Sequence, residues 1–406
     1  MSQAPQPTAP TSIDAASDGN VVNRAEVYLK RARALAPLIS SEAAAIERDG
    51  SVSKKVVDAL VEQELFWCLV PEDLGGGGLR LTDAIRVGEE INRADGSTGW
   101  AFTATGFSTA VLAGFMDHDV AREYFLGARK EIVAGQLLPR HPGLKVDGGY
   151  RLKAGWGFAS GSDFATIIGA GFLVADENGL VLDEAGNPQP RIAIVPKEQV
   201  EFLGNWDVWG LVGTGSYDYA LRDVFVPERH TMATLSTTPT HPDPVFTVGA
   251  LGIGSVAHAA NALGVGTRAL QEVVTICGGK MRPNYTTPVG ESEMFKLEFA
   301  KAEASLQAAR QYLYHVVDTA QDAGAAGTQT PEHIARISQV VTWTQGVVTD
   351  VVAFAHRWGG SYSIKMDSAL ARCMRDASIA TQHVLVDPIT LVKAADGIIP
   401  GYRVSQ

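Results

Sequence analysis

The sequence predicts a mainly α protein with a central β domain. An N-terminal helical domain spans residues 22–130, a middle β-barrel or sandwich 131–236 and a C-terminal four-helix bundle 237–406, after a disordered tail over 1–21. Three observations lead there. At 406 residues the chain is too long for one ordinary domain. Its apolar spacing is helical to about residue 130, changes to short β-rich runs, and becomes helical again after Pro239 and Pro242. No long helix separates the β runs, which suits a barrel or sandwich better than βαβ units.

The elements follow in order. Met1 to Asn20 is rich in Ala, Pro, Thr, Ser and Gln and has neither a basic start nor an apolar stretch, so it reads as a tail and not as an export signal. Val22 to Glu47 carries Tyr28, Ala32, Leu35 and Ile39 at helical spacing, with Pro37 as a candidate kink. Ser53 to Leu65 repeats the pattern after the Asp49-Gly50 turn. Val70-Pro71-Glu72-Asp73-Leu74 and Gly75 to Gly78 read as a flexible loop, and Thr82-Asp83 starts a helix through Ile91. Asp95-Gly96-Ser97-Thr98-Gly99 caps a helix carrying Trp100, Phe102 and Phe107. Strands are expected at Ile132–Gly135, Tyr150–Lys153, Thr166–Val174 and Arg191–Pro196, separated by Gly- and Asn-containing turns. Ala250–Thr275, Ser292–Ala323, Thr330–Trp358 and Ser368–Lys393 are the four bundle helices.

Composition narrows the class. Hydrophobic residues make up 46% and charged residues 19%, the balance of a globular chain with a large core. A formal charge of −11 argues against a basic nucleic-acid face. No run of eighteen apolar residues suggests a membrane span. Cys68, Cys277 and Cys373 are scattered without CxxC spacing, which fits a reducing cytoplasm and excludes a cysteine metal site. Gly75 to Gly78 lacks the Lys-Ser or Lys-Thr of a phosphate loop. There is no GxGxxG in a βαβ setting, no HExxH and no GxSxG elbow, which disfavours a Rossmann domain, a zinc site and a serine hydrolase.

Two features remain. In the last helix candidate Arg372, Asp376, Ala380 and His383 fall on one helical face, below a Gly359-Gly360 break. An imidazole there suits proton chemistry near neutral pH; the alternative is an Arg372–Asp376 surface pair with His383 capping a core. In the middle domain Gly155-Trp156-Gly157-Phe158-Ala159-Ser160-Gly161-Ser162 alternates aromatic and small residues, as a planar ligand or a packed β core would need. Trp209 to Asp218 is a similar glycine- and hydroxyl-rich loop.

These pieces occur in an order that resembles the acyl-CoA dehydrogenase superfamily over about residues 25–395. The signposts are Val70-Pro71-Glu72-Asp73-Leu74-Gly75-Gly76, Trp156-x-Phe-x-Ser160-Gly161, Gly213-Thr214-Gly215-Ser216, Val224-x-Val226-Pro227, Arg282, Gly359-Gly360 and Arg375-Asp376. The resemblance implies a flavin held between the three domains of a homotetramer. Ala380-Thr381-Gln382-His383-Val384-Leu385 has no carboxylate where the dehydrogenases often carry their glutamate, and the Tyr-Glu-Gly-Thr pattern is absent. His383, eight residues after Arg375, instead matches the two-component flavin monooxygenase branch.

That branch implies the following chemistry and residue roles. Reduced FMN or reduced FAD, delivered by a separate NAD(P)H-dependent flavin reductase, reacts with O2 to a flavin 4a-hydroperoxide that hydroxylates a small aromatic substrate. FMN is favoured because no adenine-binding signature is visible. By resemblance His383 is the base and hydroperoxide partner, and Ser160 bonds the flavin ring, lined by Trp156 and Phe158. Gly161, Thr214 and Ser216 complete the cofactor loops, and Arg282 with Gly359 and Gly360 meets the cofactor phosphate across a subunit boundary. Trp100 and Phe107 are substrate walls or plain core. Related hydroxylases often place a second histidine or other polar group after the Asp-Gly-Ser pattern. Here Gly106-Phe107-Ser108 offers only Ser108, which implies a less acidic or bulkier substrate than a simple phenol. The rival readings are an acyl-thioester dehydrogenase with its base on another helix and a non-catalytic scaffold of the same fold.

Overall fold

The computed structural model describes residues 23–234 and 236–403. The tail expected over 1–21 lies outside them. Five helices come first: α1 (Arg24–Asp49), α2 (Lys54–Glu62), α3 (Leu81–Ala94), α4 (Gly96–Phe115) and α5 (His118–Leu126). In α1 the stripe Tyr28, Ala32, Ala36, Ile39, Ala43 and Ile46 is buried, and the helix runs through Pro37 to a left-handed Gly50 whose N–H bonds Ile46 O. Asp95 caps α4 by accepting from Thr98 N at 2.8 Å.

The segment expected to be a flexible loop is instead a pinned turn. Gly76 N bonds Pro71 O and Gly77 N bonds Trp67 O. A Cβ on Gly76 would stand 2.1 Å from Val70 O, so the glycines are there for close backbone approach.

The middle region holds β1 (Val133–Val146), β2 (Gly149–Ala159), β3 (Ile167–Asp176), β4 (Gly179–Leu180), β5 (Pro190–Pro196), β6 (Glu201–Gly204), β7 (Tyr217–Pro227) and β8 (Thr231–Ala233). Their order is β6-β7-β2-β1-β3-β5-β8, with β4 paired to β3. β1 and β3 run parallel; the other pairs are antiparallel.

Five helices follow: α6 (Gly249–Gly279), α7 (Glu293–Ala325), α8 (Pro331–Gly359), α9 (Ala369–Ala380) and α10 (Ile389–Ile398). The fourth expected bundle helix is thus broken in two. His383 is extended and accepts Leu385 N on its own side chain, and Asp387, preceding Pro388, is forced out of the helical region. The stretch Pro244–Gly279 is long and apolar enough to cross a membrane, but 83% of its apolar window is buried inside the molecule, as a core helix requires.

The two helical regions share one apolar core, whereas the sheet keeps a smaller one around Trp156, Phe172 and Tyr219. α6 joins the helical regions by pressing against α3, where a Cβ on Gly264 would sit 2.4 Å from Asn92 Cβ.

Arg372 and Asp376 are not a surface pair. Both are buried, Arg372 Nε bonds Glu47 Oε2 at 3.0 Å, Arg375 pairs with the same Glu47, and Asp376 Oδ1 accepts Leu211 N at 2.7 Å. Burial, and then the negative Asp95 nearby, push the Asp376 carboxyl up to about 7. A carboxyl whose pKa is higher folded than unfolded stabilises the fold only while protonated. Its contribution is therefore present below about pH 4 and is lost as pH rises to about 7. Asp376→Asn keeps the acceptor for Leu211 and removes the charge. The variant is expected to gain on the order of 1 kcal/mol over the native chain at pH 8, with the gap closing toward pH 4. Urea unfolding across that range checks this; parallel pH slopes would refute it.

Candidate active site

α4, α6, the turn between α9 and α10 and the sheet meet around a cavity of about 410 Å³. Each element reaches it by its own period. From α4 come Trp100, Thr103, Phe107 and Ser108 on one helical face; from α6, Gly254, Ala257 and His258; from the turn, Gln382 and His383. The sheet side adds Phe158, Ser160, Trp206 and Ser216. No Asp or Glu lines it among the described residues; the charge is one exposed guanidinium, Arg140.

At the centre the His258 and His383 rings lie 4.0 Å apart, tilted by 35°. Trp100 stands edge-on to both, at 5.0 and 5.9 Å. Burial lowers the His383 imidazole to about 4. The His258 imidazole is also held well below the ordinary range, by burial and then by His383. The titration expected near neutral pH is therefore displaced into acid, and both rings are neutral at pH 7.

A chain of hydroxyls borders the histidines. Trp100 Nε1 donates to Ser160 Oγ at 3.1 Å, Ser160 meets Ser216 at 2.6 Å and Ser216 meets Thr214 at 2.7 Å. Its direction follows from one proton per hydroxyl. Thr214 gives its proton to Leu211 O at 2.7 Å, so Ser216 donates to Thr214 and Ser160 donates to Ser216. Ser160 Oγ keeps one lone pair and no free proton.

The rim is aromatic. Phe158 is 62% exposed and sits at φ +62°, a left-handed position that costs a non-glycine residue about 1–3 kcal/mol. It stands edge-on to Trp206 at 6.1 Å. The β2–β7 register shifts between Trp156 and Ala159, and this bulge turns Phe158 outward.

The remaining expected residues are placed elsewhere. Trp156 does not line the cavity: its indole donates to Gly171 O at 2.8 Å and stacks on Tyr219 in the β core. Gly161, at φ +75°, donates to Thr214 O and ties the Ser160 turn to the hydroxyl loop. Arg282 donates to Trp358 O at 3.0 Å, and Lys280 donates to Gly359 O at 2.5 Å. The two cations, with Gly359 and Gly360, form a separate cluster at the C-terminus of α8, where the helix dipole favours them. None of the four lines the cavity.

Sequence reasoning missed His258. The signal was there: Ser255, His258 and Asn261 recur every three residues in the otherwise apolar first half of the helix. The second imidazole thus comes from α6 and not from the helix after Asp95, which corrects the inference drawn from Ser108 alone.

Family models of the acyl-CoA dehydrogenase N-terminal domain and C-terminal domain match residues 29–128 and 256–388. The chain is 29% identical over 362 residues to indole-3-acetate monooxygenase of Pseudomonas putida, covering 88% of this chain and 90% of that one. It is 26% identical over 376 residues to the flavin-dependent monooxygenase oxygenase subunit HsaA of Rhodococcus jostii, covering 89% and 94%. In fold it is similar to XiaF from Streptomyces sp., solved with FADH2 and glycerol: TM-score 0.85, 22% identity, 94% and 96% covered. The chain belongs to the acyl-CoA dehydrogenase superfamily, in the branch of flavin-dependent monooxygenases that work with reduced flavin and O2.

Proposed function

We propose that the protein is the oxygenase component of a two-component system. It takes reduced FMN or reduced FAD from a separate NAD(P)H-dependent flavin reductase and, with O2 and through a flavin 4a-hydroperoxide, hydroxylates a small aromatic or heteroaromatic substrate. The observation that carries this reading is an apolar cavity that holds two neutral imidazoles and, among the described residues, no carboxylate. A dehydrogenase acting next to a thioester would need a carboxylate base there.

The residues fit a reduced flavin. Ser160 has a lone pair to spare, and a reduced isoalloxazine offers a ring N–H where the oxidised ring offers an acceptor. Thr234 Oγ1, buried without a partner at the cavity wall, is a second free polar atom. Phe158 and Trp206 would cover a planar ring at the rim. When bound, the reduced flavin with O2 supplies the oxygen atom. The chain orients the substrate between Trp100 and Phe107, presents His383 to it, and keeps water out with its apolar walls so that peroxide is not released early. The name of the Pseudomonas relative supports an indole-type ring among possible substrates. In a homotetramer, Arg282, Gly359 and Gly360 would face a neighbouring subunit's cofactor. Three buried, unpaired cysteines support the reading of a cytoplasmic enzyme.

An anaerobic titration with reduced FMN and reduced FAD, followed by mixing with oxygenated buffer, tests the proposal. Tight binding of a reduced flavin and a transient near-ultraviolet species before reoxidation are expected. Tightly held oxidised FAD bleached by an acyl thioester would establish the dehydrogenase instead, and no affinity for either flavin would leave a scaffold.

A further inference from the structure

His383 was expected to be the base, yet its hydrogen bonding gives it the opposite polarity. The Leu385 backbone N–H donates to His383 Nδ1 at 3.2 Å. A backbone N–H can only donate, so Nδ1 must hold a lone pair, and the proton of the neutral ring sits on Nε2. The capping contact that opens the Val384–Val386 turn thereby makes His383 a fixed N–H donor. His258, on α6, has no hydrogen-bond partner on either ring nitrogen among the described residues, although its ring lies 4.0 Å from His383. It is free to present a lone pair.

We infer that His258 is the proton acceptor of this site, that His383 is its fixed Nε2–H donor partner, and that the substrate is an electron-rich aromatic carrying a ring N–H or O–H directed at His258. This deepens the proposed monooxygenase reading and rests on it. The reaction balances as follows. An oxygen atom bonds to a ring carbon with an electron pair of the substrate as the O–O bond breaks, the electron pair of that bond staying on the other oxygen. The cationic ring so formed is far more acidic at its N–H or O–H than the resting substrate. That bond breaks, its electron pair returns to the ring, and the proton moves to His258. The C–H proton at the hydroxylated carbon then leaves and restores the N–H or O–H, while the proton on His258 goes to the oxygen atom that becomes water. O2 is reduced by two electrons from the substrate and two from the reduced flavin. A weak base suffices because the substrate ionises only after it has become a cation; a buried imidazole, neutral at pH 7, is such a base.

Two measurements on the full-length flavin-free protein test this apart from the flavin chemistry. The first is nitrogen NMR of protein labelled in histidine, with His383→Gln used to assign the signal. At pH 7 His383 is expected to show a protonated Nε2 and an unprotonated Nδ1; a proton on Nδ1 overturns the inference. The second compares binding of indole with that of benzofuran, which has the same shape and lacks the N–H. The native protein should prefer indole by roughly five- to tenfold, the value of one neutral hydrogen bond. His258→Leu should abolish that preference, and His383→Gln, whose amide still donates, should keep it. No preference in the native protein, or a preference that survives His258→Leu, overturns the inference. Neither result depends on whether reduced flavin binds, so failure here is distinct from failure of the flavin titration.

Discussion

The His383→Ala protein is expected to fold, to bind reduced flavin, and to convert most of the O2 it consumes into hydrogen peroxide. Loss of a positioned proton-handling group costs about 10²–10⁴-fold in the step it serves. Product per flavin oxidised should therefore fall by at least about 100-fold while reoxidation continues. The reason is local. His383 sits against Trp100 and His258, and no other side chain of the α9–α10 turn that lines the cavity, Gln382 included, is an imidazole. The Ala variant also loses the cap on Leu385 N, worth about 0.5–2 kcal/mol, so a modest fall in stability should accompany it. Simultaneous assay of product and peroxide decides the matter: unchanged coupling would remove His383 from the chemistry.

Arg372→Ala should have the largest effect on stability. The Arg372 guanidinium bonds Glu47 and is the cation between the buried Asp95 and Asp376. Its removal leaves Glu47 with Arg375 and takes from Asp95 and Asp376 the cation that offsets their burial. Breaking a buried charge cluster by deleting one partner costs about 3–5 kcal/mol, because the remaining charges stay desolvated without compensation. The loss should appear in chemical denaturation as a lower midpoint at unchanged slope. A cost below about 1 kcal/mol would mean that water enters the cluster. The consequence reaches the site, since Asp376 holds Leu211 at the cavity wall and α9 carries the chain into the His383 turn.

Much of the architecture was legible because it rests on short-range rules. The Asp95 cap of α4 and the Ser292 cap of α7 begin helices where their side chains satisfy free N–H groups. The β runs stood out by their turns. The site was less legible. Trp156, Phe158 and Ser160 share parity along β2, so simple alternation sends all three to one face. A bulge with a left-handed Phe158 breaks that alternation, leaving Trp156 in the β core and Ser160 at the cavity. A bulge depends on what the partner strand does, which no local pattern encodes.

By itself the sequence determined the succession of helical, β and helical regions, the lack of a carboxylate after Arg375-Asp376, and the presence of a histidine at 383. Those are properties of residue type and spacing. Only the tertiary structure decided that His383 lies beyond the helix end and points Nδ1 at its own backbone, and that a second imidazole arrives from α6. Ser255, His258 and Asn261 step round the helical wheel by about 60° each and so share one broad polar stripe. Which of them meets a neighbouring helix and which meets the cavity depends on how α3 and α4 pack against α6, and that packing is a property of the assembled core.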